Sequence, residues 1–447
     1  MPAMANAQRR THVMRRLPRK VVELLRHLGG MADKAGISLY LVGGVVRDLL
    51  LKRENWDLDL TVEGDGIAFA RSVADRYGAG LALFERFATA RLTFSNGLKV
   101  DIASTRSESY VKPAALPNVL LAPLREDLYR RDFTINAMAI ELNVSRFGLL
   151  YDPYGGQNDL KARVIRVLHE GSFIDDPTRI FRAIRFLQRF GFRLEPKTSR
   201  LLFEAAGSNV IRRLSGPRLC NEVLLLFGER HPERAINQLS RLKLLRFLHP
   251  HVRYAGMAKR LVASLPLAVA WWNKELFAPA ADRSLVYLMA LLSETSASDA
   301  RSVAKRLQVS SVQSCALELA GRSTDRISDI LSRRESVSPS RVYRLLADLP
   351  AEALVVIAAK SRIYHGGEGW IRCWQRLTRY LKRDRYLKIA VGGKDLVGLG
   401  LKPGPNYKRI LDRLLNAKLD GALRSESAER EMAARLAHRT FTRASRL

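Results

Sequence analysis

Apolar residues recur along the first third of the chain with two different periods. Aliphatic runs at Leu39–Val42, Leu58–Val62, Arg91–Phe94 and Lys99–Ala103 predict strands. Apolar positions three and four apart predict helices around Val21–Ala35, Val45–Leu51 and Gly66–Tyr77. Beyond about Asp159 strand candidates thin out and amphipathic helices take over, as at Pro177–Phe190, Arg218–Phe227 and Glu233–Leu245. Clusters of turn formers at Asp152–Gly156, His231–Pro232, His249–Pro250 and Pro403–Gly404–Pro405 mark the connections. An α/β region followed by an all-helical remainder is the resulting expectation.

Composition narrows the partner. The 447 residues are 47% hydrophobic and 27% charged, a globular balance with room for roughly three domains. Lys plus Arg number 75 against 44 acidic residues, a net charge of +31, and a surface so basic calls for a polyanion, with nucleic acid the commonest. Cys220, Cys315 and Cys373 lie far apart, matching neither a disulfide framework nor a four-thiolate zinc site, so a reducing cytoplasm is expected. The apolar runs Leu265–Trp272 and Leu285–Leu292 fall well short of the ~20 residues that cross a bilayer. Met1–Lys20 carries six basic residues and no acid, without the apolar stretch of a secretory signal, and reads as a loose basic arm. Arg372–Lys388 sets seven basic residues against one acid, interleaved with Trp374, Tyr380 and Tyr386; it is either a solvated helix face or a groove for RNA.

Chemistry concentrates in Leu41–Thr61. A predicted strand ends in Gly43–Gly44, whose missing side chains let backbone N–H groups approach a phosphate, and a helix with Arg47 and Asp48 follows. The next strand carries Asp57 and Asp59, two apart and so projecting from one face. Two like charges side by side call for a divalent cation, and oxygen ligands suit Mg²⁺ held together with substrate phosphates. Asp101, between apolar neighbours in a third strand, is either a hydrogen-bonded residue at the core edge or a third carboxylate able to draw a proton from an attacking hydroxyl. In Leu128–Ile140, read as helical, Asp132 and Asn136 share a face and offer an acceptor and an amide to a ribose, with Arg131 available to phosphate.

Together these segments resemble the polymerase β-like nucleotidyltransferase superfamily, and within it the class II (bacterial-type) tRNA nucleotidyltransferases and poly(A) polymerases. The resemblance implies an α+β protein: a catalytic head with a small mixed or antiparallel sheet, then an all-helical neck, body and tail. The corresponding divisions are arm 1–20, head 21–150, neck 151–230, body 231–360 and tRNA-binding tail 361–447. It assigns the Gly43, Gly44, Arg47, Asp48, Asp57 and Asp59 block to catalysis with Mg²⁺, and Arg131, Asp132 and Asn136 to the sugar and phosphates of the nucleotide. Asp152–Val167 is similar to the family's hinge-like third motif and Phe173–Phe192 to its fourth, which selects the base. There Asp176 and Arg179, three apart on a helix, would set an acceptor beside a donor. Cytosine and adenine both offer an amino donor beside a ring-nitrogen acceptor, whereas guanine and uracil reverse the order. Arg182 and Arg185 complete the implied nucleotide-binding set, and Arg218 and Glu222 in Ser215–Phe227 would brace the selecting helix.

The resemblance implies a template-independent enzyme that adds CCA, or part of it, to the tRNA 3′ end from CTP and ATP, releasing pyrophosphate. Full CCA addition ranks first, A-only or CC-only addition second, and poly(A) polymerase third. Thr105–Leu124, where relatives carry a flexible element, has a Pro/Ala/Leu-rich wording similar to that of A-adding enzymes. Leu51–Lys52 replaces a glycine found in many relatives and is expected to make a different turn. Val391–Leu415 is similar to family tails. A catalytically silent RNA-binding protein is the alternative from another class.

Overall fold

The computed structural model describes residues 12–54, 56–109, 112–115, 117–275 and 277–444. Contacts group the chain into two compact units, Met1–Glu222 with Arg241–Lys243, and Val223–Ser240 with Leu244–Leu447.

The first unit is built on a mixed seven-stranded sheet. In chain order its strands are β1 (Ser38–Val42), β2 (Leu58–Glu63), β3 (Gly80–Phe84), β4 (Thr89–Thr93) and β5 (Lys99–Ser104). A separate hairpin, β6 (Arg106–Ser109) and β7 (Asn118–Leu121), precedes the last two, β8 (Ala139–Glu141) and β9 (Leu150–Tyr151). The spatial order is β3-β4-β5-β2-β1-β8-β9, antiparallel throughout except for the parallel pair β2 and β5. Leu58, Leu60 and Val62 alternate with Asp59 along β2 and are buried with Leu39, Leu41, Val100 and Ile102 from its neighbours. Burial of these side chains seats the sheet, at about 25 cal/mol per Å² of apolar surface removed from water. Helices α1 (Arg19–Lys34), α2 (Gly44–Leu50) and α3 (Gly66–Tyr77) accompany the sheet, and Asp65 caps α3 by accepting from the amides of Ile67 and Ala68.

Several expectations need correction. Residues 12–20 of the predicted arm are not loose: Val13, Met14 and Leu17 are buried and Arg16 donates to the Leu49 carbonyl, while residues 1–11 lie outside the description. Residues 128–140 do not form one helix. Instead α4 (Leu124–Tyr129) ends, a 3₁₀ turn covers Thr134–Asn136, and β8 follows. The region after Asp159 is not wholly helical, since β10 (Val164–Ile165) pairs in parallel with β11 (Arg193–Leu194). Lys52 takes the left-handed conformation, φ +59°, which glycine adopts without strain and a lysine adopts at a cost.

The second unit is helical in its described residues. Its longest element, Ala351–Lys382, is a helix broken at Gly366 and Gly367, so the expected boundary at 360 falls inside one helix, on fully buried Lys360. The Lys360 ammonium donates to the carbonyls of Ala320 and Gly321 and to Thr324 Oγ1, and lies 2.6 Å from Asp325 Oδ1. Residues 391–437 gather a core of their own around Leu396, Ile410, Leu414 and Leu436. The basic stretch 372–388 spends much of its charge internally: Arg376 donates to the carbonyls of Leu331, Arg333 and Glu335, Arg385 to that of Ala278, and Lys382 pairs with Glu275. Cys220, Cys315 and Cys373 are free thiols, and no helix among the described residues is long and apolar enough to cross a membrane.

Replacing Lys360 with methionine leaves two carbonyls and the Asp325 carboxylate without their cation. With the carbonyls of Ala320 and Gly321 unpaired and Asp325 partly open to water, the variant should lose roughly 1–3 kcal/mol of stability, read as a lowered melting temperature of the chain.

Candidate active site

The site starts where β1 runs into α2. Gly43 has φ +75°, and a Cβ there would stand 2.8 Å from Arg131 Nη1 and 3.9 Å from Asp59 Oδ2. The conformation favours glycine, while the Arg131 guanidinium, the end of a flexible side chain, could shift to make room. Gly43, Gly44, Asp57 and Asp59 line a cavity of about 510 Å³, and its wall also includes Arg47, Arg131, Asp132 and Asn136. From the following helical segment Asp176, Arg179, Arg182 and Glu222 complete the wall among the expected residues. Asp48, Asp101, Arg185 and Arg218 lie outside that wall among the described residues.

Asp59 belongs to β2, and Asp57 precedes the strand by one residue, so sheet alternation alone does not set their common direction. The Asp59 carboxyl is pushed up to about 6, first by burial and then by the Asp57 charge, with Arg131 pulling the other way. In the sheet register Asp101 stands beside Asp59, and Arg91 stands beside Asp101. Arg91 holds both Asp101 oxygens, each at 2.7 Å, so drawing a proton onto Asp101 would require that ion pair to open.

Behind the acids runs a buried relay of hydrogen bonds. Arg47 grips Asp48 through two bonds of 2.8 Å and donates a third, 2.6 Å, to Asn136 Oδ1. The Asn136 amide donates to Asp132 Oδ1 at 2.9 Å, and Arg182 donates to Asp132 Oδ2 at 2.8 Å. Asp132 and Asn136 therefore do meet, through a turn rather than a helix face. Burial alone would raise the Asp132 carboxyl, but Arg182 and the Asn136 amide outweigh it and hold the group at about 2. The Arg47 guanidinium also lies over the rings of Phe186 and Phe190, 5.2 and 4.7 Å from their centroids.

Asp176 and Arg179 differ from the expected pair on one helix. Helix α5 spans Thr178–Phe190, so Asp176 precedes it in extended conformation, accepting from Thr178 and, at 2.7 Å, from Arg218. Arg179 donates to Ser172 Oγ at 2.7 Å and to the Arg130 carbonyl at 2.5 Å. Arg218 also donates to the Ala114 carbonyl, in the stretch between β6 and β7, of which residues 110, 111 and 116 lie outside the description. Glu222 faces Arg185 at 3.7 Å, its carboxyl raised by burial.

Sequence reasoning missed Asp127, Arg130 and Glu108. Buried Asp127 accepts from Arg130 and Arg131, and burial is outweighed by these cations, which keep its carboxyl low. Its three- and four-residue spacing to those arginines was the available signal. Glu108, which takes Arg130 at 2.7 Å and lines the cavity, offered none, because its partner is 22 residues away.

A cavity pairing acids with glycine backbone and arginines, and carrying further polar groups on its wall, can hold a polyphosphate and a base together. Residues 39–166 match the family described as the Poly A polymerase head domain, and residues 191–255 match one described as the probable RNA and SrmB-binding site of polymerase A. Over 395 residues the chain is 35% identical to an A-adding tRNA nucleotidyltransferase of Halalkalibacterium halodurans, covering 87% of this chain and 86% of that one. The chain belongs to the tRNA nucleotidyltransferase family. An A-adding tRNA nucleotidyltransferase of Geobacter sulfurreducens is 40% identical over 431 residues, 95% of this chain, which spans only 48% of that protein's length. The Thermotoga maritima CCA-adding enzyme, solved with tRNA, superposes with a TM-score of 0.71 at 33% identity, covering 95% of this chain and 97% of the other. The sheet-based head followed by helices is an architecture this chain shares with the Thermotoga enzyme.

The raised Asp59 carboxyl gives a stability prediction with a definite sign. Its folded value of about 6 exceeds the ordinary 3.8, so the ionised acid opposes folding, an effect that grows as pH rises from near 4 to near 6 and then stays constant. Without divalent cations, Asp59→Asn should therefore melt higher than the parent at pH 8, by an amount worth roughly 1–3 kcal/mol, and no higher at pH 4.

Proposed function

We propose that the chain is a template-independent tRNA nucleotidyltransferase that transfers AMP from ATP to the tRNA 3′ end, with CTP also a substrate if it adds all of CCA. The carrying observation is the one cavity that contains Asp57 and Asp59 together with Asp176 and Arg179. The terminal ribose hydroxyl attacks the α-phosphorus in line, forming the new P–O bond as the bond to pyrophosphate breaks. Asp57 and Asp59 offer only oxygen donors, and the strain on Asp59 is of the kind a cation relieves, so this pair fits Mg²⁺. Bound there, Mg²⁺ would supply charge neutralisation for the phosphates and help ionise the attacking hydroxyl. Gly43 and Gly44 admit the triphosphate closely, Arg131 faces it, and the Arg47–Asn136–Asp132 relay fixes the ribose pocket. Asp101 keeps Arg91 beside the acids.

Asp176 and Arg179 present an acceptor and a donor to the Watson–Crick edge of the base, while Arg218 holds Asp176 in place and Glu222 holds Arg185. A base of the wrong pattern leaves these groups unpaired, at about 1–3 kcal/mol for each lost partner. The A-adding names of the Halalkalibacterium and Geobacter relatives, with the Pro/Ala/Leu-rich wording of Thr105–Leu124, favour addition of the terminal A. Full CCA addition is the second reading, favoured by the likeness to the Thermotoga enzyme.

Asp57→Ala should abolish nucleotide incorporation while tRNA affinity, read by filter binding, stays within a few-fold; extension near the parent rate would remove the assignment. Arg179→Ala should lower the preference for ATP over GTP by about 5- to 150-fold, measured as a ratio of kcat/KM values. Offering tRNA lacking CCA, tRNA ending in CC, and an unrelated oligoribonucleotide, each with CTP or ATP, separates the readings. Use of ATP on the CC-ended tRNA alone fits A addition, CTP use on the CCA-less tRNA fits the second reading, and equal extension of the oligoribonucleotide contradicts both.

A further inference from the structure

Far along the sequence from the acidic pair, in the second unit, His249 and His251 flank Pro250 in the turn after Leu244–Phe247. Asp299 reaches them from the first turn of the helix Ala297–Leu307. His251 Nδ1 lies 3.0 Å from Asp299 Oδ2, and His249 Nε2 lies 3.7 Å from Asp299 Oδ1. The two rings meet edge to face with centroids 5.0 Å apart, and one ligand atom from each of the three residues falls within 4.8 Å of the others. A tetrahedral ion bound at about 2.0–2.1 Å keeps its ligand atoms about 3.4 Å apart, so modest side-chain movement closes this set around one ion.

The donors decide which ion. Two imidazoles and one carboxylate suit a borderline transition cation, whereas Mg²⁺ and Ca²⁺ prefer all-oxygen shells. The set is also supported: the Ser296 hydroxyl accepts from the Asp299 amide at 3.0 Å, the Val252 amide closes the turn onto the His249 carbonyl at 3.1 Å, and Pro250 restrains the backbone between the two rings. Side chains of His249 and Asp299 are about one-fifth exposed, 19% and 20%, while that of His251 is 68% exposed, so an ion can enter from solvent and keep a water as its fourth ligand.

We propose that His249, His251 and Asp299 form a binding site for a zinc-class divalent cation that ties the 248–252 turn to the start of the helix Ala297–Leu307. Uptake through His249 Nε2 requires that nitrogen to be bare, so the ring hydrogen moves to Nδ1. The His251 amide now points at Nδ1 from 3.4 Å, near the outer limit of a hydrogen bond, and that contact opens at little cost. His251 coordinates through Nδ1 and Asp299 through one carboxylate oxygen. Any proton on either ring must leave when the ion binds.

The test uses the full chain, stripped with chelator and dialysed, and titrated with Zn²⁺ by calorimetry at neutral pH. The Asp57→Asn/Asp59→Asn protein should keep this binding event and the accompanying rise in melting temperature, which separates it from any ion held by the acidic pair. His251→Ala, at an exposed position that should not disturb folding, and Asp299→Asn should each weaken it by roughly tenfold or more. Co²⁺ in place of Zn²⁺ should show the visible absorption of a nitrogen-ligated tetrahedral ion, absent in His251→Ala. Unchanged Zn²⁺ stoichiometry and affinity in His251→Ala, or Co²⁺ spectra typical of oxygen ligands only, would overturn the site.

Discussion

A guanidinium shut away from water must find acceptors for its N–H groups, and Arg47 finds them only when three separate stretches are in place. Its own helix supplies Asp48, the 3₁₀ turn at Thr134–Asn136 supplies the Asn136 oxygen, and α5 supplies the faces of Phe186 and Phe190. Asn136 passes the requirement on to Asp132, and Asp132 to Arg182 on α5. The cavity wall is the surface of this relay. Satisfying a few buried polar groups thus sets much of the pocket's wall.

Two acids in that cavity, Asp132 buried and Asp59 partly so, are driven in opposite directions by their partners. Asp132 is surrounded by an amide and an arginine and remains ionised well into acid, whereas Asp59 has another carboxylate for a neighbour and gives up its charge near neutrality. One is a fixed strut and the other an open request for positive charge. Sorting the acids by their partners separates framework from chemistry more cleanly than sorting them by burial.

The sequence made the acidic strand, the Gly43–Gly44 turn and the first three helices legible, because in each case a local period or a local steric need writes the structure. Gly66–Tyr77 agrees with its observed bounds, and Leu58–Val62 differs by one residue. What escaped was non-local. The apolar run before Glu141 looks helical in isolation and becomes a strand because β1 offers it an edge. Asp101 reads as a candidate base until Arg91 is found opposite it in the register, and Glu108 is unremarkable until Arg130 folds onto it. The basic run 372–388, which reads as a possible RNA groove, has several of its cations directed to backbone carbonyls instead.

β2 is the fourth of seven strands, with β5 bonded to one side and β1 to the other. Fraying of a sheet proceeds inward from its edges, so the segment carrying Asp59 is the last of this sheet to open to solvent. Loosening at the edge strands β3 or β9 leaves that carboxylate where it was. The least forgiving part of the chemistry is thereby mounted on the backbone that breathes least.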